Sequence, residues 1–501
     1  MKEAIKRGLS VGIGFILQFG LLIFVQLFLN KYIGIFSVIY WFLPIVIVLF
    51  MLKNSTRLSS DLPWIIFIMM FPILGGIVLL TIGRSYLKSK LLKRLVQKND
   101  EYSKLLCQEE LDESILEEND NIRYFRHYAK FPITTRNQVT YYDMGEVFYP
   151  ELLKELQKAE KFIFMEYFII NKGKMWNGIW EILKEKAANG VDVRIMYDDM
   201  GSIAMLPEHY AKELSEYRIK CIPFNKLSPF NGIMMNNRDH RKMTIIDGKV
   251  AFSGGVNISD EYINEIHPFG EKWKDNGIKI VGESIWNLTV MFLTLWNANQ
   301  EEDTDIEKFR YDFSGDEIAM DGYVIPFGIN PAAKNNVGED VYLNIINSAR
   351  KYVYIFTPYL IIDTDMINSL TRASRRGVDV RIVVPGVPDK KMVYGITKSF
   401  FGMLMKEGVK IYTYTPGFIH SKVFLSDDTR SVVGTINMDY RSLYLHFENG
   451  IYLEGNSEIK QVKKDMEDTL KESYLVQETD IKTRFLSEMW QAILRLIAPM
   501  M

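Results

Sequence analysis

The chain has almost no cysteine, with 2 in 501 residues. Cys107 and Cys221 are too few for a disulfide framework or a structural zinc site. Neither charge dominates, because 60 basic residues stand against 62 acidic ones and the net charge is −2. Proteins that bind nucleic acid usually show a clear basic excess. Acidic or Cys/His clusters at ligand spacing are also missing, so the sequence predicts no metal, no other cofactor and no nucleic-acid partner.

Long apolar runs are concentrated at the N-terminus. Segments 9–29, 32–52 and 62–83 carry no charged residue, and each is long enough to cross a hydrocarbon core of ~30 Å. A signal peptide is the alternative for the first run, but that run exceeds the usual ~7–15 residues and another follows at once. We therefore predict that residues 1–94 anchor the chain in a membrane. The third segment contains Pro63 and Pro72, so both two and three spans stay open.

Basic residues directly after the third segment indicate the orientation of the chain. They are Arg84, Lys88, Lys90, Lys93 and Arg94. Because positive charge is retained on the cytoplasmic side of a membrane, we expect the downstream part to be cytoplasmic. The sequence thus predicts a multi-pass protein of the cell membrane.

One short pattern occurs twice. Each copy has a histidine, a lysine and an aspartate at H-x-K-x4-D spacing: His240, Lys242 and Asp247, then His420, Lys422 and Asp427. Each copy is followed, 15 and 17 residues after its histidine, by a small residue and an amide: Gly255 and Asn257, then Thr435 and Asn437. Matching downstream spacing indicates duplication rather than coincidence. Single histidines outside the copies, His267 and His446, are expected to be satisfied structural residues.

The duplication extends beyond the motif. The sequence GVDVRI at 190–195 recurs at 377–382. Apolar runs alternate with helical stretches in both halves, which predicts βαβ units, an α/β fold and a buried, largely parallel sheet. We expect a charged linker at 95–135, the first repeat at 136–300 and an inter-repeat linker at 301–335. The second repeat is expected at 336–483 and an amphipathic C-terminal helix at 484–501. That last helix is expected either on the membrane surface or against the core.

The repeated residues suit reactions at phosphorus. Histidine titrates near neutrality, so one neutral imidazole can attack phosphorus and a second, protonated, can donate to the leaving oxygen. Lys242 and Lys422 would stabilise the negative charge of the transition state, and Asn257 and Asn437 would add neutral donors to the substrate phosphate. A phosphorus atom held between two such sets explains why the motif occurs twice.

Carboxylates complete the predicted site. An imidazole needs an orienting carboxylate, and Asp275 and Glu448 are the candidates, each for the histidine of its own repeat. Asp247 and Asp427 belong to the predicted catalytic sets. The alternative is that they brace the hairpin after each lysine and never touch substrate.

These residues resemble the phospholipase D superfamily, and most closely its bacterial cardiolipin synthases. The similar segments are 166–168, 197–202, 237–242, 252–258 and 434–442, and His446 stands where that family commonly has asparagine. The resemblance implies a duplicated phospholipase D-like domain. Its two βαβ-rich mixed sheets would pack together with the active site between them, after N-terminal transmembrane helices.

The resemblance also implies an activity. A phosphatidyltransferase of this kind joins two phosphatidylglycerols into cardiolipin and releases glycerol through a phosphatidyl-histidine, with His240 as nucleophile by analogy. The expected partners are phosphatidylglycerol, cardiolipin and the bilayer, without metal or cofactor. The main alternative is a phospholipase D that hydrolyses or transphosphatidylates other phospholipids. A nuclease of the same superfamily and a non-catalytic scaffold are further alternatives.

Overall fold

A computed structural model describes most of the chain: residues 20, 24, 33–54, 58–71, 75, 90–106, 119–226, 237–300, 302–331, 333, 336–481 and 485–500. The first predicted apolar segment, 9–29, lies almost entirely outside the described residues, as does the acidic centre of the first linker.

The strands are β1 Thr134–Tyr142, β2 Phe162–Tyr167, β3 Asp192–Asp198, β4 Lys220–Phe224, β5 Lys242–Ile246, β6 Val250–Gly254, β7 Lys272–Lys274, β8 Gly277–Gly282, β9 Met320–Ile329, β10 Tyr352–Phe356, β11 Leu360–Ile361, β12 Asp379–Pro385, β13 Lys410–Tyr414, β14 Gly417–Ile419, β15 Val423–Ser426, β16 Arg430–Gly434, β17 Met438–Asp439, β18 Glu448–Glu454 and β19 Ser473–Leu475.

The α-helices are Ile33–Asn54, Leu58–Met70, Lys90–Tyr102, Asp120–Tyr124, Gly145–Leu156, Lys174–Ala188, Asp199–Ser202, Tyr210–Ser215, Ile285–Asn299, Val337–Ser348, Thr364–Arg375, Lys391–Met405, Tyr440–Tyr444, Ile459–Lys471 and Phe485–Ile497. A π-helical turn covers Phe125–Ala129, and short 3-10 turns cover Ser103–Leu105, Asp260–Ile263, Glu307–Phe309, Glu478–Ile481 and Ala498–Met500.

Fifteen of the strands form one sheet in the order β19-β13-β12-β10-β15-β16-β18-β9-β1-β8-β6-β5-β2-β3-β4. Each repeat contributes the same arrangement: three parallel strands, then antiparallel neighbours that include the strand after the motif lysine. The α/β prediction and the duplication are therefore confirmed. The expectation of a largely parallel sheet is wrong, because only the β2-β3-β4 and β10-β12-β13 groups pair in parallel within it.

The prediction of two sheets also needs correction. The two halves are continuous, because β1 of the first repeat pairs antiparallel with β9 of the second through Thr134↔Val324 and Arg136↔Met320. The helix Ile285–Asn299 is buried along nearly its whole length, and its side chains join those of both halves in one apolar cluster. The two repeats thus share one large sheet, beside which the described residues form two small two-stranded sheets, β11-β17 and β14-β7.

Two short parallel pairings connect residues near the motifs. β7 of the first repeat pairs with β14 of the second, in the register Phe418↔Trp273 and Ile419↔Lys274. An isolated parallel bridge joins Asp239 to Phe447. Because each pairing lies immediately before a motif histidine, it brings that histidine to the opposite repeat.

The N-terminal part contains the helices Ile33–Asn54 and Leu58–Met70, which pack on each other through Met51, Trp64 and Ile68. The first covers nearly all of the predicted segment 32–52, and the second covers residues 62–70 of the predicted segment 62–83. Within the described ranges, no helix qualifies as long and apolar enough to cross a membrane.

Candidate active site

Each motif histidine lies two residues before its lysine in extended chain, so the two side chains share one face. His240 and His420 are both buried, with 9% of each side chain exposed. The Nζ atom of Lys242 donates to the carbonyl oxygen of His240 at 2.6 Å, and Lys422 does the same to His420. The two sets share this contact, while Lys422 Nζ also lies 2.8 Å from Nδ1 of His420.

The carboxylate partners of the histidines are crossed between the repeats. Nδ1 of His240 lies 2.9 Å from Oε1 and 3.0 Å from Oε2 of Glu448. Nδ1 of His420 lies 2.6 Å from Oδ2 of Asp275. The prediction that Asp275 and Glu448 approach the histidines is confirmed, but the prediction that each serves the histidine of its own repeat is wrong.

The strand register explains this exchange. His420 and Asp275 directly follow the paired residues of β14 and β7, and the backbone N–H of His420 donates to the carbonyl of Lys274 at 2.7 Å. His240 and Glu448 follow the bridge between Asp239 and Phe447 in the same way, and His240 N donates to Phe447 O at 2.9 Å. Neither half therefore holds a complete histidine–carboxylate pair alone.

Burial and mutual repulsion govern the charges at the centre. Burial lowers the pKa of Lys242 to about 7, and the charge of Lys422 adds to the effect. Burial lowers the pKa of Lys422 to about 8 and that of His420 to about 4. The pKa of His240 falls well below its ordinary value through burial and the nearby charge of Lys242. A bound anion would raise all four values, so the centre suits a negatively charged ligand.

Asp247 and Asp427 do not point at the histidines. The Asp247 carboxylate accepts the backbone N–H groups of Glu160, Lys161 and Phe162 at 2.7–2.8 Å. Asp427 accepts those of three equivalent residues at 2.7–2.9 Å: Arg350, Lys351 and Tyr352. Both aspartates have positive φ, 54° and 53°. These bonds favour the alternative, in which both aspartates brace the hairpin, and their membership of the catalytic sets stays a prediction.

The two asparagines differ. Asn257 accepts from the backbone N–H of Ile169 at 3.0 Å and donates to the Tyr262 hydroxyl at 2.8 Å. The Oδ1 atom of Asn437 is buried and has no hydrogen-bond partner among the described residues. The first amide is thus held within the protein at both of its polar atoms. The second hydrogen-bonds Asp439 through its side chain and leaves only its acceptor oxygen unused.

The small residues after each motif also differ, for a steric reason. The Thr435 hydroxyl donates to the carboxylate of Glu448. At Gly255 a Cβ atom would lie 2.0 Å from Oδ1 of Asp275. Asp275 is one methylene shorter than Glu448, so the absence of a side chain at Gly255 leaves room for its carboxylate.

Sequence reasoning missed the residues that line the two imidazoles. The ring of His446 lies 5.6 Å from that of His240, and neither of its nitrogens has a hydrogen-bond partner in the described part of the chain. The expectation that His446 is a satisfied structural residue is therefore wrong. Trp273 occupies the equivalent place beside His420, at 5.7 Å. Both are found by counting two residues back from the orienting carboxylates.

His240, His446 and Glu448 offer nitrogen and oxygen atoms within 4.8 Å of one another, a spacing that could hold a metal ion. The surrounding charge argues against one. Repulsion by Arg441, Lys242 and Arg238 adds to burial in lowering the pKa of His446. The same positive potential would repel a divalent cation and attract an anion. The cluster therefore fits a metal poorly.

Comparison with known proteins identifies the family. The family model described as cardiolipin synthase, PLD-like domain, matches residues 152–283 and 342–470, slightly more than half of the chain. The chain belongs to this family. Each matched segment contains one complete H-x-K-x4-D motif and one of the crossed carboxylates.

Relatives match nearly the whole length. A cardiolipin synthase of Alkalihalophilus pseudofirmus is 32% identical over 99% of this chain and 100% of its own length. An uncharacterised protein of Streptococcus mutans is 41% identical over 91% of this chain and 99% of its own. The crystal structure of a phosphatidylserine synthase from Haemophilus influenzae superimposes with a TM-score of 0.58 at 15% identity, over 76% of this chain and 99% of that one. The last likeness concerns the fold.

Proposed function

We propose that this chain is a cardiolipin synthase that transfers a phosphatidyl group between two phosphatidylglycerol molecules and releases glycerol. One observation carries the proposal: two buried histidine–lysine sets, each with its histidine oriented by a carboxylate of the other repeat. Such a site supplies two imidazoles and two cations to one phosphorus atom. The names of the curated relatives point to the same reaction.

We assign the proton of each imidazole to Nδ1, because Nδ1 of His240 faces Glu448 and Nδ1 of His420 faces Asp275. Lys422 Nζ also lies 2.8 Å from Nδ1 of His420. This assignment leaves Nε2 of each histidine for the reaction. In the first step one Nε2 forms a bond to phosphorus, the bond from phosphorus to the glycerol oxygen breaks, and the other histidine gives that oxygen a proton. His240 is favoured as nucleophile by family analogy.

The second step reverses the roles. The histidine that gave up its proton removes one from the terminal hydroxyl of the second phosphatidylglycerol. The new oxygen–phosphorus bond forms as the nitrogen–phosphorus bond breaks. Lys242 and Lys422 stabilise the charge on the non-bridging oxygens in both steps. One phosphodiester replaces another, so no nucleotide is needed.

We further propose that the chain is a multi-pass protein of the cell membrane with its catalytic part in the cytoplasm. The helix Ile33–Asn54 exposes several large apolar side chains: Phe42, Val46, Leu49 and Phe50 are each at least 57% exposed. Contiguous exposure of this kind is typical of a membrane or protein contact. The basic residues after segment 62–83 support the orientation.

The C-terminal helix Phe485–Ile497 supports both uses predicted for it. Leu494 is buried, and Arg495 donates to the carbonyl of Ser399 at 2.7 Å, so one face packs on the helix Lys391–Met405. Trp490 and Ile493 on the helix are 59% and 46% exposed. We propose that this second face contacts lipid beside the catalytic part.

Purified enzyme with labelled phosphatidylglycerol tests the reaction. We expect cardiolipin and free glycerol in equal amounts, with little phosphatidic acid. Phosphatidic acid as the main product would favour the phospholipase D alternative. His240→Ala and His420→Ala should each lower the rate by several orders of magnitude, because each removes a member of one catalytic unit.

Orientation has a separate test. In a variant without the native cysteines, Lys390→Cys places a thiol on a side chain that is 66% exposed in the catalytic part. An impermeant thiol reagent should leave it unlabelled in intact cells and label it after lysis. Labelling in intact cells would reverse the proposed orientation.

A further inference from the structure

Arg441 is a cation without an ion pair. It is partly buried on the short helix Tyr440–Tyr444, and no carboxylate of the described residues lies within 4 Å of its guanidinium. The charge of Asp439 acts on it, and that carboxylate accepts the backbone N–H of Ser442 at 2.8 Å. Burial and repulsion by Arg238 lower the pKa of Arg441. A guanidinium in this state is available to an anion.

A second group next to Arg441 lacks a hydrogen bond, although its Nδ1 lies 3.7 Å from Oε1 of Glu448. His446 is 8% exposed, and both of its ring nitrogens are without hydrogen bonds in the described structure. Its backbone N–H donates to the carbonyl of Arg441 at 2.8 Å, so the two residues are held one turn apart. A buried polar group without a partner costs stability unless a ligand satisfies it. Arg441 and His446 therefore form a prepared site beside His240.

The opposite repeat lacks this site. Position 261, the counterpart of Arg441 at an offset of 180, is Glu261, and its carboxylate bonds to Ser259. The counterpart of His446 is Trp273. One edge of the centre thus offers a guanidinium and an imidazole to an anion. The equivalent edge has the carboxylate of Glu261 and the indole of Trp273, whose Nε1 also lacks a hydrogen-bond partner among the described residues. The Glu261 carboxylate makes that second edge unfavourable for a second negative charge.

We propose that Arg441 and His446 form a subsite for the phosphate of the acceptor phosphatidylglycerol. This inference rests on the proposed function. The acceptor is the one reactant that brings a second phosphate, three carbon atoms from its attacking hydroxyl. A subsite for that anion would favour a lipid acceptor over water and over neutral alcohols, and so would distinguish a synthase from a hydrolase.

Soluble acceptors isolate this effect. Detergent-dispersed labelled phosphatidylglycerol is the donor, and sn-glycerol 3-phosphate is compared with glycerol as acceptor. The ratio of the two kcat/KM values measures recognition of the phosphate, and transfer to glycerol by the same sample reports an intact catalytic centre. Phosphatidylglycerol itself serves as a third acceptor, to show that the lipid headgroup uses the same subsite.

Wild-type enzyme should prefer glycerol 3-phosphate. In Arg441→Gln the ratio should fall about tenfold or more, the change expected from losing one charge-assisted hydrogen bond. Arg441→Lys should restore part of it, and His446→Asn should lower it by less. Arg375→Gln is the matched control, because Arg375 pairs with Glu407 on the surface.

The opposing results are distinct. If wild-type enzyme shows no preference, or if Arg441→Gln lowers transfer to both acceptors equally, the subsite is refuted while the synthase function stands. If Arg441→Gln loses the preference among soluble acceptors but makes cardiolipin normally, the lipid phosphate binds elsewhere and the proposal fails. If wild-type enzyme transfers to none of the three, the proposed function fails and the subsite with it.

Discussion

The two motif strands have different residues around their histidines. The first repeat has charged residues before and after its histidine, where the second repeat has apolar or neutral ones 180 positions later: Arg238, Asp239 and Arg241 against Phe418, Ile419 and Ser421. The partners of these residues differ in the same way. Arg241 lies 3.5 Å from the buried Glu166, whose place in the second repeat is taken by Phe356.

The hairpins show the opposite pattern. Asp247 and Asp427 hold the same three backbone groups, at the same φ, in both repeats. The elements that set the position of each histidine and lysine are therefore duplicated faithfully, while the surroundings have diverged. A reaction in which one histidine attacks and the other handles protons needs this combination of equal geometry and unequal environment.

The crossed carboxylates give the largest expected effect. Glu448→Gln and Asp275→Asn should each lower kcat by about two to three orders of magnitude, because the neutral amide no longer stabilises the imidazolium or selects its tautomer. Nitrogen NMR should show the titration of His240 changed by Glu448→Gln and nearly unchanged by Asp275→Asn. A change confined to the histidine of the same repeat would contradict the crossing.

Replacing the buried charged residues of the first repeat by their counterparts in the second tests whether the surroundings of the two histidines have diverged. Arg241→Ser should reduce stability by about 3 kcal/mol, because it leaves Asp239 and Glu166 buried without their cation. The triple change Glu166→Phe, Asp239→Ile and Arg241→Ser copies the second repeat and should recover part of the loss in thermal unfolding.

The reciprocal variant is the control. Ser421→Arg places a cation among apolar neighbours and should destabilise by a similar amount. If the triple variant is less stable than Arg241→Ser alone, the two repeats do not have interchangeable interiors.

The hairpin aspartates should affect stability more than chemistry. Asp247→Ala or Asp427→Ala removes the acceptor of three N–H groups at a positive φ and should cost about 1–3 kcal/mol, with kcat near wild type at low temperature. The asparagine variants retain an acceptor oxygen and tolerate the backbone, so they should be milder. A loss of kcat like that of a histidine variant, in folded protein, would place these residues in the catalytic set.

The last prediction concerns the fall of activity at high pH. The lowered pKa values of Lys242 and Lys422, about 7 and about 8, mean that their charge is present at lower pH and lost as pH rises through this range. The pH dependence of kcat/KM reports the titration of groups in the free enzyme. Above pH ~8 we expect kcat/KM to fall by at most about tenfold per pH unit for each lysine that loses its charge. In Lys422→Arg, if the variant is active, the part of the fall in kcat/KM that is due to residue 422 should disappear, because arginine stays charged. A flat profile to pH 10 would contradict the assignment.

The sequence predicted the duplicated fold, both histidines and both lysines, because these recur in a spaced pattern. The carboxylates Asp275 and Glu448 do not recur at matching spacing, and they were predicted as candidates from the need of an imidazole for an orienting carboxylate. The sequence could not predict the crossing. That depends on β7 pairing with β14, strands 142 or more residues apart. His446 was misjudged for a related reason, since a single histidine carries no pattern and its contact with His240 exists only in the folded chain. The union of the sheets through β1 and β9 likewise depends on a pairing between the repeats.

The unequal roles of the two histidines are the central claim. Enzyme mixed with phosphatidylglycerol labelled at phosphorus, denatured within milliseconds and mapped by peptide, should carry the label on one histidine, and family analogy places it on His240. Label on His420 alone would keep the claim and exchange the roles. Equal label on both histidines, or turnover with no covalent label on either, would contradict it.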